Sequence, residues 1–116
     1  MKPQSIIDQT TFNALKEAMG ADYLPELVSA YFDEMPVLLS RLQQALDKQE
    51  SEAFRQAAHS IKSTSNSFGA LEFGAQAKEL EMMGRAGNLD GAPVKVDALT
   101  SGYELVRQAL EGLIHG

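Results

Sequence analysis

The chain has 116 residues, 16 acidic against 10 basic, and a net charge of −6 at neutral pH. This length supports one domain with a single core and leaves no room for a nucleotide-binding domain beside it. The absence of cysteine excludes disulfides, thiolate metal sites and cysteine nucleophiles. The acidic charge disfavours binding to nucleic acid or membrane surfaces, and no apolar run approaches the roughly 20 residues of a membrane span. We expect a soluble, cytoplasmic monomer.

The apolar spacing predicts a short helix followed by four longer ones. The short first helix covers about residues 10–19, with Thr10 or Thr11 as its predicted N-terminal cap and Gly20 as its end. Three of its apolar side chains are predicted to face inward: Phe12, Leu15 and Met19. The second helix covers about residues 22–47, and Pro36 inside it should bend or split it, because proline removes one backbone hydrogen bond.

Three amphipathic helices complete the chain. Ser51 is predicted to cap a third helix over about 52–68, which ends at Gly69. The fourth covers about 70–84 and the fifth about 91–114, with a glycine-containing loop between them. Short connections between four amphipathic helices predict an all-α fold, an antiparallel four-helix bundle with a short additional N-terminal helix. We expect a single domain over residues 1–116.

The third predicted helix carries a side chain whose position folding alone does not explain. At about 100° per residue its apolar residues form one stripe, and His59 lies almost opposite, beside Lys62 and Ser63. From Ala53 to Leu71 the sequence has no Asp or Glu, although the protein as a whole is acidic. An outward imidazole in a locally electropositive region is suited to transient handling of an anion.

A tight turn at Gly69 makes the third and fourth helices an antiparallel hairpin. His59 lies ten residues before Gly69, and Glu81 lies eleven after Ala70, so both are roughly 15 Å from the turn. Two small residues on the same edge of the fourth helix as Glu81 would let the two helices approach closely: Gly74 and Ala77. Glu81 is therefore the predicted acceptor for the Nδ1 proton of His59, which makes Nε2 the nucleophile. Lys62 would stabilise charge on a phosphoryl group bound there.

Two short runs and one glycine carry a family resemblance. The runs are His59-Ser60-Ile61-Lys62-Ser63 and Ala77-Lys78-Glu79-Leu80-Glu81, and the glycine is Gly69. With this spacing the chain resembles histidine-containing phosphotransfer (HPt) domains over nearly its whole length. The resemblance implies that His59 is the phosphoacceptor, that Lys62 stabilises the phosphate and that Glu81 orients the imidazole. Ser63 stands where the family commonly has glycine.

The resemblance also implies partners, namely receiver domains of hybrid sensor kinases and of response regulators. These domains must dock around His59, and the candidate docking residues on its face are Arg55, Gln56, Ser63, Asn66 and Ser67. Met19 and Tyr23 are further candidates, although an ordinary place in the core is the favoured interpretation of both. No cofactor or metal is expected, because there is no glycine-rich phosphate loop and the histidines, His59 and His115, are far apart.

Two alternatives to a stand-alone phosphorelay carrier without autokinase activity stay open. The first is the phospho-accepting module of a chemotaxis-type kinase, which carries a similar His-Ser-Ile-Lys run but is normally attached to dimerisation and ATP-binding domains. The end of the chain at Gly116 favours the stand-alone carrier. The second is a helical-bundle adaptor with an incidental histidine, which predicts that His59→Gln leaves partner binding and output intact.

Overall fold

The computed structural model describes residues 6–115, and this part of the chain is helical, with no strand. The helices are α1 (Gln9–Met19), α2 (Leu24–Asp47), α3 (Ser51–Ser67), α4 (Leu71–Ala86) and α5 (Ala92–His115). The four long helices form a ring in which α2 contacts α3, α3 contacts α4, α4 contacts α5 and α5 contacts α2, while α1 packs on α3. The all-α bundle with a short N-terminal helix is therefore confirmed. No helix among residues 6–115 is long and apolar enough to cross a membrane.

Two of the predicted helix caps are wrong. Asp8, rather than Thr10 or Thr11, caps α1, and its carboxylate accepts hydrogen bonds from the backbone N–H of Thr11 at 2.9 Å and from its hydroxyl at 2.6 Å. A carboxylate is a strong acceptor for the free N–H groups of a first turn, which explains why the helix begins before the threonines. Glu50 holds the N-cap position of α3, and Ser51 is already helical.

α2 is a continuous helix through Pro36, so the expected split does not occur. Met35 and Leu39, on either side of the proline, are buried in the core, and this packing keeps both halves in one helix. The inward position predicted for Met19 is also wrong, because 43% of this residue is exposed at the end of α1.

Close contact between α3 and α4 positions the site. Gly69 has φ +91°, a conformation that favours glycine, and its carbonyl accepts a hydrogen bond from Asp8 at 2.7 Å, which ties the start of α1 to the turn. A Cβ on Gly84 would lie 2.9 Å from the Cα of Arg55. Gly84 is thus a contact residue inside α4. The predicted end of this helix at about residue 84 is two residues too early, because α4 continues to Ala86 and is followed by Gly87 in the left-handed conformation.

The small residues predicted on the edge of α4 lie at this seam. Gly74 and Ala77 are buried, and a Cβ on Gly74 would overlap the side-chain amide of Asn66 on α3. One polar contact in the core lies farther along α3, where the hydroxyls of Tyr31 and Ser65 are 2.7 Å apart. These small residues let α3 and α4 approach closely enough for polar groups to meet across the seam.

Candidate functional site

His59 projects from the outer face of α3 with 53% of its side chain exposed. Its Nδ1 lies 2.9 Å from Oε2 of Glu81 on α4, so the two residues that the hairpin register predicts to be level are in contact. A neutral imidazole that donates its Nδ1 proton to a carboxylate keeps the lone pair of Nε2. In that tautomer the free lone pair belongs to Nε2, on a ring that is half exposed at the protein surface.

Glu81 is a buried carboxylate bonded by three side chains, those of His59, Lys62 and Arg85. Only 4% of its side chain is exposed, and its oxygens lie 2.9 Å from Nδ1 of His59, 2.8 Å from Nζ of Lys62 and 3.3 Å from the guanidinium of Arg85. The hydrogen bond from Lys62, helped by that from His59, lowers the pKa of Glu81 to about 2, although burial opposes this change. The carboxylate is therefore ionised at neutral pH and accepts from both α3 side chains.

Lys62 lies on the same side of α3 as His59 but points at Glu81. Its ammonium is 2.8 Å from Oε1, while the imidazole uses Oε2, so each α3 side chain bonds a different oxygen of one carboxylate. The side chain of Lys62 is 24% exposed. Helical spacing placed Lys62 beside the histidine; it did not indicate that the two residues share a partner.

Arg85 belongs to this cluster and was missed by the sequence analysis. It follows Glu81 by four residues on α4, and its guanidinium lies 3.3 Å from Oε2, with 67% of the side chain exposed. The i, i+4 spacing of a glutamate before an arginine on one helix was the signal that would have found it.

The candidate docking residues differ in their exposure and in the hydrogen bonds that they already make. Gln56, Ser63 and Ser67 are exposed on α3. The amide of Gln56 donates to Glu52, and the hydroxyl of Ser67 donates to the backbone carbonyl of Ser63, each at 3.2 Å. Arg55 is bonded to Glu52 at 3.0 Å through Nε, and the half-buried amide of Asn66 packs against Gly74. Met19 and Tyr23 are 43% and 47% exposed, so the interpretation of both as core residues is wrong. Among residues 6–115, no three His, Asp or Glu side chains are grouped to hold a metal ion.

The Hpt domain family model matches residues 26–112. The chain belongs to the Hpt domain family. The matched range includes His59, Lys62 and Glu81. Members of this family carry phosphoryl groups between signalling proteins and are not kinases, which places the chain in the phosphotransfer class.

Two similar proteins agree with this assignment. The phosphorelay protein LuxU of Vibrio cholerae serotype O1 is 24% identical over 109 residues, which cover 94% of this chain and 96% of LuxU. The crystal structure of the histidine-containing phosphotransfer protein B (HptB) from Pseudomonas aeruginosa PAO1 matches with a TM-score of 0.89 and 28% identity over 95% of both chains. The helical bundle is thus the HPt fold.

Proposed function

We propose that this HPt protein is a phosphorelay intermediate. It accepts a phosphoryl group on Nε2 of His59 from the aspartyl phosphate of a hybrid sensor kinase and passes it to the aspartate of a response regulator. The observation that carries this proposal is the 2.9 Å contact between Nδ1 of the exposed His59 and the buried Glu81. This contact leaves Nε2 facing outward, where a partner's aspartate can reach it.

The transfer needs no further reactant. The Nε2 lone pair of His59 attacks phosphorus, the P–N bond forms, and the P–O bond to the partner's aspartate breaks with its electron pair remaining on the carboxylate. The Nδ1 proton stays in its hydrogen bond to Glu81, and this ionised carboxylate stabilises the positive charge that develops on the ring. Transfer to the second receiver reverses these steps, and any divalent ion is expected to come with the receiver.

Lys62 is proposed to stabilise the phosphoryl group. Its ammonium is held by Glu81, one helical turn from His59, in a position from which a change of rotamer would direct it at a phosphoryl oxygen. Glu81 would then serve as the resting partner of Lys62 as well as the residue that orients the imidazole.

The relay carrier is favoured over the two alternatives. LuxU is named a phosphorelay protein and matches this chain over 96% of its own length, which supports a relay role rather than a module of a chemotaxis-type kinase. An incidental histidine, as the adaptor hypothesis requires, would not need a buried carboxylate at hydrogen-bond distance from Nδ1.

The test is incubation of the pure protein with a panel of phosphorylated receiver domains. We expect a label that is acid-labile and base-stable, as a phosphohistidine should be. His59→Gln should abolish it, while His115→Gln, a change of the other histidine in the chain, should retain it. With ATP alone no label should appear. If an active panel gives no label on the wild type, the adaptor hypothesis becomes the better one.

Lys62→Ala tests the role of the ammonium. Loss of one charge-stabilising donor should slow transfer on the order of tenfold or more, and the domain should remain folded. Transfer by Lys62→Ala at the wild-type rate would remove the electrostatic role proposed for this residue.

A further inference from the structure

α4 carries a row of side chains that repeats the spacing around His59. On α3 the row at i, i+4 and i+7 is Arg55, His59 and Lys62. On α4 the same spacing gives Lys78, Met82 and Arg85, which we call the α4 stripe. The helices are antiparallel and His59 contacts Glu81, so Lys78 lies level with Lys62, and Arg85 with Arg55. Cations therefore stand on both helices, above and below the histidine.

The α4 stripe borders a shallow hollow in the surface beside the site. Its volume is about 210 Å³, and its lining consists of Lys62, Lys78, Glu81, Met82 and Arg85. The one carboxylate of this set, Glu81, is already bonded to Lys62, His59 and, at 3.3 Å, Arg85. Within residues 6–115, no carboxylate lies at ion-pair distance from Lys78. The lining of the hollow therefore carries more positive than negative charge, with three cationic side chains and one carboxylate.

Glu79, the acidic neighbour of Lys78 in the sequence, is paired with a different helix. Glu79 forms its ion pair with Lys95 of α5 at 3.0 Å, on the side away from α3. Met82 lies between the two cations of the α4 stripe with 58% of the residue exposed. A flexible apolar side chain between cations is suited to a partner surface that is both acidic and partly apolar.

We propose that the α4 stripe docks an acidic patch of the receiver domain. Carboxylates of the receiver pair with Lys78 and Arg85, and an apolar side chain of the receiver covers Met82. This inference rests on the proposed function, because the receiver must approach His59. Charge complementarity favours an acidic partner at this place: the protein as a whole carries a net charge of −6, whereas the cations of the α4 stripe attract carboxylates locally. The receiver thereby sits over the α3–α4 seam.

The test compares two charge reversals in lysines exposed on different faces. Lys78→Glu changes the α4 stripe, and Lys95→Glu makes the same charge change on α5, which packs on α4 and α2. The second-order rate of transfer from a phosphorylated receiver domain is measured at about 0.05 M and about 0.3 M salt. Lys78→Glu should lower this rate about tenfold at low salt, with a smaller loss at high salt. Lys95→Glu should stay within about twofold of the wild type.

Phosphoramidate separates docking from chemistry, since we expect this small donor to transfer its phosphoryl group to His59 and to release ammonia without a protein partner. The loss caused by Lys78→Glu should be larger with the receiver than with phosphoramidate. Equal losses with both donors, or equal rates for Lys78→Glu and Lys95→Glu with the receiver, would overturn the docking inference and leave the proposed function standing. If the wild type accepts no phosphoryl group from any receiver, the proposed function fails, and the inference fails with it.

Discussion

Replacement of Glu81 by glutamine is the most informative change at this site. The variant keeps the size of a side chain that is 4% exposed but removes the charge that binds Lys62 and His59. A pKa lowered from 4.5 to about 2 corresponds to about 3 kcal/mol of stabilisation by the ionised carboxylate. Glu81→Gln should therefore lower the free energy of unfolding by about 3 kcal/mol at neutral pH.

The pH dependence gives this prediction a definite sign. Because the pKa of Glu81 is lower in the folded protein, the unfolded chain binds the proton first as the pH falls. The stabilisation is complete above about pH 5 and is lost progressively toward about pH 2. The gap between the wild type and Glu81→Gln should thus shrink to about 1 kcal/mol near pH 3.

Urea denaturation of both proteins across this pH range is the assay. Glu79→Gln is the matched control, because Glu79 lies on the same helix, is 60% exposed and forms a surface ion pair with Lys95. We expect the control to change the free energy of unfolding by less than about 1 kcal/mol at every pH. Parallel stability curves for the wild type and Glu81→Gln between about pH 6 and pH 3 would refute the reasoning. The pKa of Glu81 would then be the same in the folded and the unfolded protein.

Three further changes test how the bundle is packed, each by denaturant unfolding at neutral pH. Gly84→Ala should destabilise the protein by about 2 kcal/mol, because its Cβ would lie 2.9 Å from the backbone of Arg55; an unchanged midpoint would show that the helices separate freely. Gly69→Ala should cost roughly 2 kcal/mol, since the residue has φ +91°, and wild-type stability would contradict the strain. Tyr31→Phe should cost about 1 kcal/mol, because it leaves the buried hydroxyl of Ser65 without its 2.7 Å partner, and a neutral result would mean that this bond contributes nothing net.

The sequence predicted the parts of this protein that depend on local spacing. Apolar residues at helical intervals and glycines at the turns indicate the bundle, and every predicted helix end lies within two residues of the observed one. Counting residues from the turn at Gly69 was enough to bring His59 level with Glu81, because the rise per residue of a helix is constant. The phosphotransfer family followed from the same runs of residues, and the family match supports it.

Tertiary structure decided what the spacing leaves open. Lys62 could have faced solvent or a phosphoryl group, but the buried carboxylate of Glu81 attracts it across the seam, together with Arg85. Pro36 would break an isolated helix, and the core on both sides of it keeps α2 continuous. Periodicity determines which face of a helix is buried. Which charged group bonds which partner depends on burial and on competition between groups from different helices, and no single helix contains that information.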